Sequence, residues 1–576
     1  MKKKVASKVL AGLLASTMVL GMAACGNDDN QGSSGTPSGS TTPSGSTTPS
    51  GSNAPSNTPA PAETPKPAPM KITFSVPAQN DVEHLEADEW YDKLVAEINE
   101  YTNMDVTYEW VASAAYFDQL AEKIKAGNVA DVVVGPTKAD DPVVLAAARE
   151  GLFWDIAPYI DEYDNLAAVS DAIWTGMSDN GAIYFLPRTR NIGRNGFGYR
   201  QDWAEKLGLK ISDPMTWQEF KDMLYAFTYN DPDGNGKADT QGLIVDSWHG
   251  AFEIIMAWFN VPTNWGLDKN GDLIYYVETQ EYKNAIKEIR ELYAQGVIND
   301  GSVEGIPVYT DLGPGSIRKD YVSGGKAGVY IQCLDDVRKG ETGGGGLLEQ
   351  GFGTDDKPAI RLESFVDTGN GTHVRPFGTG INGTILISTV NIKTEDQLKR
   401  VLGYLNDIND GKMVELMDYG WEGKTYEINA DGYVDLWVPA GGNDEAAAKL
   451  AAAGVSSTNY RMGFNQIRTL VTAPENAQTI TTPPASTEIT KREQYLLNEW
   501  NPQYTIADMG AGYKSETWMD TTTQEALNKI ILDAETAYIK GEVDENAIDD
   551  AIARWKAAGG DQVTKEMNEL YHAAGN

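Results

Sequence analysis

The sequence predicts a mixed α/β protein with at least two folded lobes and a helical carboxyl-terminal region. The chain has 576 residues, which is more than one hydrophobic core usually holds. From Met70 onward, strand-like alternation and helix-like spacing follow one another. From Gln524 to Ala574 the sequence favours helix almost continuously, with interruptions at Gly541 and at Gly559 and Gly560. These three observations carry the prediction.

The first folded segment alternates strands with helices. Apolar residues at every second position predict a strand through Ile72, Phe74 and Val76. The pattern then predicts a helix with Trp90, Leu94, Val95 and Ile98, a strand from Val106 to Trp110, a helix with Phe117, Leu120, Ala121 and Ile124, and a strand from Asp131 to Val134. Such a βαβαβ order indicates a largely parallel sheet, whose ligands usually bind at the carboxyl ends of the strands.

Later elements carry their own start and stop signals. Thr216 followed by Glu219 has the spacing of a capping box, which predicts the start of a helix. Further signals predict a helix from Tyr282 to Tyr293 that ends at Gly296, a strand from Thr384 to Val390, and a helix from Gln397 to Ile408.

The first 25 residues have the features of a lipoprotein export signal. A basic start precedes an apolar stretch from Val9 to Leu20, and Met22, Ala23 and Ala24 lead into Cys25. Cleavage before Cys25 would make this residue the diacylated N-terminus. The alternative is a transmembrane anchor, but the apolar stretch is shorter than the ~20 residues that span a bilayer.

Residues 26–69 are rich in Ser, Thr, Pro and Gly and predict a disordered linker. Such a linker would hold the folded part away from the membrane to which Cys25 anchors it. We therefore expect a protein on the extracellular face of the cell membrane, attached by lipid.

The composition limits the possible partners. The formal net charge is −36, so the chain is not expected to bind nucleic acid, which requires basic patches. Hydrophobic residues make up 41% of the chain, which is ordinary for a water-soluble protein. With Cys25 lipidated, Cys333 has no partner for an intrachain disulfide, and its apolar neighbours predict a buried structural thiol.

An acidic loop that begins at Asp231 predicts a calcium site. Oxygen ligands recur at the spacing of an EF-type loop, with Gly236 at the sharp turn. The ligands would be Asp231, Asp233, Asn235, the backbone carbonyl of Lys237, and Asp239. The twelfth position is Gly242, so the usual glutamate is missing and another group must complete the shell. The alternative is a solvated turn without metal.

No motif of a common enzyme class stands out in the sequence. The glycines between Gly378 and Gly383 match a dinucleotide pattern, but they precede a strand and do not follow one into a helix. Phosphate-binding loops, nucleophile elbows and zinc-protease motifs are absent, and the four histidines are far apart. A glycosidase needs only two carboxylates, so this class stays open.

Aromatic residues crowd between Trp248 and Trp265. Flat rings suit the apolar faces of sugars, and the same rings also fill cores. Trp258 has helical spacing from Phe252 and is expected in the core, whereas Trp248 and Trp265 at loop edges are candidates for either role.

Several segments together carry a family resemblance: residues 181–188 (GAIYFLPR), 199–203 (YRQDW), 207–209, 216–220 running into the Asp231 loop, 276–282, and 419–428. With these segments, essentially the whole mature chain resembles the extracellular solute-binding lipoproteins of ABC transporters, of the large sugar-binding type that Gram-positive bacteria make (family 1).

The resemblance implies a bilobal periplasmic-binding fold, in which two α/β lobes joined by crossing strands close over a ligand. The first crossing would lie near Leu186 to Arg190. We expect residues 70–188 and about 360–420 in the first lobe, and residues 189–359 and about 421–576 in the second. The resemblance also implies that the calcium is structural and lies away from the cleft.

Candidate ligand contacts, chosen by position and chemistry, are Tyr116, Arg188, Trp248, Trp265 and Trp421. Arg188 has the alternative role of a structural ion pair, and Trp421 that of packing between helices. We expect a monomeric, non-catalytic receptor that captures an oligosaccharide by hinge closure and delivers it to ABC permease subunits. The alternatives are a tethered carbohydrate-active enzyme, a receptor for peptides or another solute, and a receptor that feeds a sensor kinase.

Overall fold

The computed structural model describes residues 67–78, 89–136, 139–245, 248–306, 317–343, 345–370, 373–376, 380–428, 430, 434–437, 444–455, 463–469 and 487–575. The predicted leader, Cys25 and the linker up to residue 66 lie outside the described residues. From Met70 onward, the described residues belong to one compact unit.

The strands, in chain order, are β1 (Met70–Ala78), β2 (Met104–Ala112), β3 (Val132–Gly135), β4 (Leu186–Thr189), β5 (Asn195–Arg200), β6 (Gln241–Leu243), β7 (Trp265–Leu267), β8 (Leu273–Tyr275), β9 (Ala327–Cys333), β10 (Ile360–Glu363), β11 (Ile381–Ile387), β12 (Tyr426–Ile428) and β13 (Val434–Leu436).

The α-helices, in chain order, are α1 (Glu89–Thr102), α2 (Ser113–Lys125), α3 (Pro142–Arg149), α4 (Asp164–Ala167), α5 (Asp171–Met177), α6 (Gln201–Lys206), α7 (Trp217–Tyr229), α8 (Trp248–Trp258), α9 (Gln280–Ala294), α10 (Leu334–Thr342), α11 (Glu395–Asp407), α12 (Gly411–Asp418), α13 (Asp444–Ala452), α14 (Glu488–Tyr495), α15 (Glu516–Met519), α16 (Thr521–Ile539), α17 (Asn546–Trp555) and α18 (Asp561–Ala573).

The predicted βαβαβ opening is confirmed and forms most of the first sheet. This sheet has five strands in the order β2-β1-β3-β11-β4, with β1 parallel to both β2 and β3. β11 is antiparallel to β3 and to β4, so β4 runs in the same direction as β1 and β3. β1 lies between β2 and β3, and its last five residues, from Phe74 to Ala78, are all buried.

The second sheet has four strands in the order β10-β5-β9-β6. β5 is antiparallel to β9 and to β10, whereas β6 is parallel to β9. The predicted capping box is present at the start of α7, where Thr216 and Glu219 exchange hydrogen bonds between side chain and backbone.

Two large apolar cores correspond to the two predicted lobes. The first core draws on residues 72–186 and 381–467, and the second on residues 197–374 and 527–571. A smaller cluster that includes Tyr330 and Leu496 lies in the second lobe as well. Trp258 is fully buried in the second core, as the sequence predicts.

Both late lobe boundaries differ from the sequence prediction. The sequence assigns residues from about 360 to the first lobe, but Glu363 of β10 pairs with Phe197 of β5, so β10 completes the second sheet. The sequence assigns residues from about 421 to the second lobe, but Trp437 and Phe464 pack in the first core. The Phe464 ring meets Trp110 of β2 edge-on, with ring centroids 5.4 Å apart, which holds this segment in the first lobe.

The buried face of α2 differs by one residue from the predicted stripe. The sequence predicts that Phe117 packs with Leu120 and Ile124, but Phe117 is 44% exposed and Tyr116 takes its place in the core. Positions 116, 120 and 124 follow one another at intervals of four, which also lie on one helix face.

The predicted helical carboxyl-terminal region is confirmed by α16, α17 and α18, which pack on the second lobe. Among the helices of the described residues, none combines the length and the apolar character needed to cross a membrane.

A buried carboxyl group lies where α16 packs against α9. Glu535 is 3% exposed, and the Tyr282 hydroxyl donates to its Oε2 at 3.3 Å. Burial, with the charge of Glu253 adding to it, raises the pKa of Glu535 from 4.5 to about 8. The folded protein therefore holds a proton on Glu535 that the unfolded chain releases at lower pH.

This proton makes stability depend on pH. Because the folded pKa is the higher one, the stabilisation is fully present below about pH 4.5 and is lost as the pH rises through about 8. The Gln side chain of Glu535→Gln stays neutral at every pH. We therefore expect the melting temperature of this variant to fall less than that of the wild type between pH 5 and pH 9. Glu525→Gln, at an exposed position of the same helix, is the matched control and should follow the wild type. Equal losses for wild type and Glu535→Gln would contradict the prediction.

Candidate functional site

The facing edges of the two sheets define the candidate site. In the first sheet, β1, β3 and β4 all end at one edge, and β11 begins there because Ile381 pairs with Thr189. In the second sheet, β9 ends where β5 begins, since Cys333 pairs with Asn195, and β6 and β10 end at the same edge. Ligands of α/β proteins bind in crevices at such carboxyl edges.

Buried hydrogen bonds join the segments that cross between the lobes. Asn501 is fully buried, and its Nδ2 donates to the carbonyl oxygens of Gly193 and, at 3.4 Å, of Asn195. The Ser364 hydroxyl donates to Oδ1 of Asn501, and Nδ2 of Asn195 donates to the carbonyl oxygen of Pro376 at 3.1 Å. Asn501 thus joins the first crossing (residues 190–194) to Ser364, which begins the chain's return toward the first lobe.

The described segment that ends at residue 469 lies beside the first crossing. Thr189 donates to the carbonyl oxygen of Thr469 through its N–H at 2.8 Å and its hydroxyl at 3.0 Å. Thr469 is fully buried, and its hydroxyl accepts from Nδ2 of Asn409 at 2.7 Å. The N–H of Arg190 donates to the carbonyl oxygen of Gly380 at 2.7 Å. Thr469 and Gly380 therefore both lie beside the end of β4.

The lobes also touch away from the crossings. Arg149 of the first lobe donates to both carboxylate oxygens of Asp179 at 2.8 Å and reaches Glu516 of the second lobe at 2.8 Å. Asp179 raises the pKa of Arg149 through these hydrogen bonds, so the guanidinium stays charged. Nearby, the N–H of Asn180 donates to the carbonyl oxygen of Gly512 at 3.2 Å.

Two predicted ligand contacts lie in the first lobe. Tyr116 is 2% exposed, and its hydroxyl lies 2.8 Å from the carbonyl oxygen of Ser75 and 2.9 Å from that of Val134, so it links β1 to β3. Arg188 lies near the end of β4 and donates through Nη1 to the carbonyl oxygen of Asn382 at 2.7 Å. For both residues, ligand contact stays a prediction.

The three predicted tryptophans lie in different surroundings. Trp265 packs in the second core against Tyr275, with ring centroids 5.2 Å apart. Trp421 donates through its indole N–H to Glu97 at 2.8 Å and packs beside Trp90 on α1, with the ring centroids 5.1 Å apart and the ring planes inclined at 54°. Trp248 is the first residue of α8, and its side chain lies outside the described residues. Their role as ligand contacts also stays a prediction.

Cys333 lies at the carboxyl end of β9 and is buried, as the sequence predicts. Burial raises the pKa of its thiol to about 11. Because the thiolate is the reactive form, this thiol is a poor nucleophile.

The Asp231 loop brings its oxygen donors together in the second lobe. Nδ2 of Asn235 lies 2.6 Å from Oδ2 of Asp233 and 3.0 Å from Oδ1 of Asp239. The Asp231 carboxylate accepts from the N–H of Gly236 at 3.0 Å, which closes the loop. Burial, followed by the neighbouring carboxylates, raises the pKa of Asp233.

The carboxylates of this loop fit a calcium ion in their chemistry. The Asn235 amide turns its nitrogen toward Asp233 and Asp239, and its oxygen accepts from the N–H of Lys237 at 2.8 Å. Gly242 at the twelfth position lies in β6, packed against the backbone of Leu224, and supplies no ligand. Within the described ranges, no group of three His, Cys, Asp or Glu side chains has a metal-binding arrangement. The calcium site therefore stays a prediction.

Sequence reasoning missed the residues that hold the crossing segments together, notably Asn501 and Thr469. Asn501 acts on Gly193, 308 positions away, and Thr469 acts on Thr189, 280 positions away. An isolated Asn or Thr carries no local signal of such a contact.

Comparison with known proteins finds that the chain is similar to several binding proteins. The family described as "Bacterial extracellular solute-binding protein" matches residues 83–311. The chain is 28% identical over 485 residues to Lipoprotein LipO of Bacillus subtilis strain 168. The match covers 83% of this chain and 88% of LipO. It is 26% identical over 485 residues to the polygalacturonan/rhamnogalacturonan-binding protein YtcQ of the same strain, with 84% and 89% covered.

Among solved structures, the chain is similar to an HMO-binding, ABC-transporter-associated solute-binding protein from Bifidobacterium longum infantis. The TM-score is 0.61 at 16% identity, and the match covers 87% of this chain and 98% of that one. This similarity agrees with the predicted bilobal fold, which is confirmed.

Proposed function

We propose that this chain, which is similar to bacterial extracellular solute-binding proteins, captures an oligosaccharide between its two lobes and delivers it to the permease subunits of an ABC transporter. The observation that carries the proposal is the pair of sheet edges that meet at the first crossing, residues 190–194. The polysaccharide named for YtcQ supports a carbohydrate as the ligand class. A further relative, 28% identical over 214 residues, is a fructooligosaccharide ABC transporter substrate-binding protein, FusA of Streptococcus pneumoniae, and supports the same class.

Capture works as a shift between open and closed lobes. The apolar cores of the two lobes are separate clusters, so the lobes can rotate about the crossings without repacking either core. A ligand that contacts both edges only when they are close stabilises the closed form. The sugar is released unaltered, since the role needs no covalent step.

Ligand contacts come from residues at the two edges. Trp248 follows the carboxyl end of β6 and is the candidate from the second lobe. Arg188 and Tyr116 are the candidates from the first lobe, while Trp265 and Trp421 would reach a ligand only after leaving their present packing.

Binding without cleavage is the central test. The purified mature chain is screened by thermal shift against neutral and acidic oligosaccharides, and each hit is incubated with the protein and then analysed by chromatography. A ligand at 100 times its Kd stabilises the native state by about 2.7 kcal/mol, so we expect a saturable rise in melting temperature with the sugar recovered intact. Cleavage products would support the enzyme alternative, and stabilisation by peptides alone would contradict a carbohydrate receptor.

Attachment to the membrane is proposed through Cys25. A diacylated cysteine followed by the linker of residues 26–69 would keep the folded part at the outer surface, where it meets the permease. We expect Cys25→Ala to move the protein from the membrane fraction to the medium or to leave an uncleaved precursor, as seen by immunoblotting. Cys333→Ala is the matched control and should stay in the membrane fraction. A Cys25→Ala protein that is processed and anchored like the wild type would refute lipidation at this residue.

Calcium is proposed as a structural ion held by Asp231, Asp233, Asn235, the carbonyl of Lys237, and Asp239. A cation bound only to the native state stabilises it, and it also offsets the repulsion between the clustered carboxylates. We expect a chelator to lower the melting temperature and added calcium to restore it, with most of this response absent in Asp233→Asn. Asp118→Asn, at an exposed position in the first lobe, should respond like the wild type. A melting temperature that neither the chelator nor added calcium changes would favour the alternative, a solvated turn without metal.

A further inference from the structure

We infer, building on the proposed function, that residues 510–519 form a strap that is anchored on the second lobe, clasps the first lobe, and sets the balance between open and closed lobes. The contacts of the strap with the first lobe are a close backbone fit, an apolar side chain and an ion pair. They are separate from the hydrogen bonds that hold the first crossing.

Glu566 of α18 anchors the strap on the second lobe. Its carboxylate accepts from the Ser515 hydroxyl at 2.5 Å, from the N–H of Thr517 at 3.0 Å and from the Thr517 hydroxyl at 2.8 Å. Burial alone would raise the pKa of Glu566, but these hydrogen bonds and one from Gln562 lower it to about 2. The carboxylate is therefore ionised at neutral pH, and α18 holds the strap through charge-assisted hydrogen bonds.

Aromatic packing adds to this anchor at both ends of the strap. Trp518 packs against the second core, with its ring centroid 5.8 Å from that of Tyr275. Gly510 lies so close to the Trp265 indole that a Cβ would come within 2.5 Å of the ring. The strap therefore moves with the second lobe.

The middle of the strap lies directly on the backbone of the first lobe. Gly512 is buried with a φ of +85°, and a Cβ at this position would lie 2.5 Å from the carbonyl oxygen of Thr175 on α5. The carbonyl oxygen of Gly512 accepts from the N–H of Asn180 at 3.2 Å. Glycine is the residue that tolerates both this φ and this close approach. A rotation of one lobe against the other changes this contact at once, because no side chain lies between the two backbones.

Two further contacts hold the strap on the first lobe. Met519, the last residue of the strap, packs against the first core. Glu516 accepts from Nη1 of Arg149 at 2.8 Å, while Nε and Nη2 of Arg149 donate to Asp179. The Glu516 side chain is 75% exposed, so this ion pair is weaker than the buried contacts and is screened by salt.

These contacts bias the hinge because they differ between arrangements of the lobes. A ligand shifts the lobes only by its difference in affinity for the open and closed forms, and every other contact that differs between these forms adds to the same equilibrium. The two apolar cores are separate, so rotation leaves each of them intact. The strap contacts do change on rotation, so they alter the affinity for the ligand without touching it.

The first test measures the distance between the lobes. Spin labels are attached through Asp118→Cys in the first lobe and Lys287→Cys in the second, both at exposed positions, in the purified Cys25→Ala chain, where Cys333 is buried. The distance distribution is recorded by pulsed electron paramagnetic resonance, and saccharide affinity is measured with the hit from the thermal-shift screen.

Gly512→Ala is the main variant, because its methyl group acts as a wedge between the strap and α5. We expect it to broaden the distribution of distances in the free protein and to change the saccharide affinity by about threefold or more. Gly271→Ala is the matched control, since Gly271 has a φ of +87° and an added Cβ there meets no atom within 4 Å. This control should match the wild type in both measurements.

A charge reversal tests the strap without changing its backbone. Glu516→Lys should repel Arg149, broaden the distances less than Gly512→Ala does, and lose its effect at about 1 M salt, where the Debye length is about 3 Å. The effect of Gly512→Ala is steric and should persist at that salt concentration. Glu525→Lys, at an exposed position on α16, is the control for charge reversal and should match the wild type. Circular dichroism and melting temperature establish that each variant is folded.

The outcomes separate this inference from the proposed function. Distances and affinities that equal those of the wild type in both Gly512→Ala and Glu516→Lys would overturn the strap and leave the oligosaccharide receptor intact. Changed distances with unchanged affinity would show that the strap does not set the balance and would also overturn the inference, as would an equal effect in Gly271→Ala. Failure of every saccharide to bind would count against the proposed function itself, while the distances still test the hold of the strap on the first lobe.

Discussion

The polar network around Asn501 is the constraint on which the arrangement of the molecule depends. The two lobes have separate apolar cores, so the hydrophobic effect stabilises each lobe but does not fix how they meet. The relative position of the lobes is fixed by buried hydrogen bonds between Asn501 and both Gly193 and Ser364, and between Thr189 and Thr469. A buried amide left without partners costs more than the net gain of an ordinary hydrogen bond, so the crossings are held in one register. The ion pair between Arg149 and Glu516 is more exposed and adds a weaker contact between the lobes.

The sequence predicted the parts of the fold whose signal is local. Alternating apolar residues defined β1, and capping residues defined the start of α7, because both patterns depend on neighbours within a few positions. The end of the first lobe was misplaced because it depends on contacts between distant residues, such as Phe464 against Trp110. The same limit explains the buried face of α2, since Tyr116 and Phe117 both fit an apolar stripe with Leu120 and only the sheet beneath the helix selects one of them.

The candidate site was harder to predict because sugar-binding and core residues share their chemistry. An aromatic ring that stacks on a sugar is equally suited to pack on another ring, and Trp265 does the latter against Tyr275. Its indole also contacts Gly510, which lies far along the chain, where a Cβ would come within 2.5 Å of the ring. No pattern near position 265 encodes that contact. The polar side chains of the Asp231 loop, in contrast, are close in sequence, and Asn235 joins Asp233 to Asp239 by hydrogen bonds within that short segment.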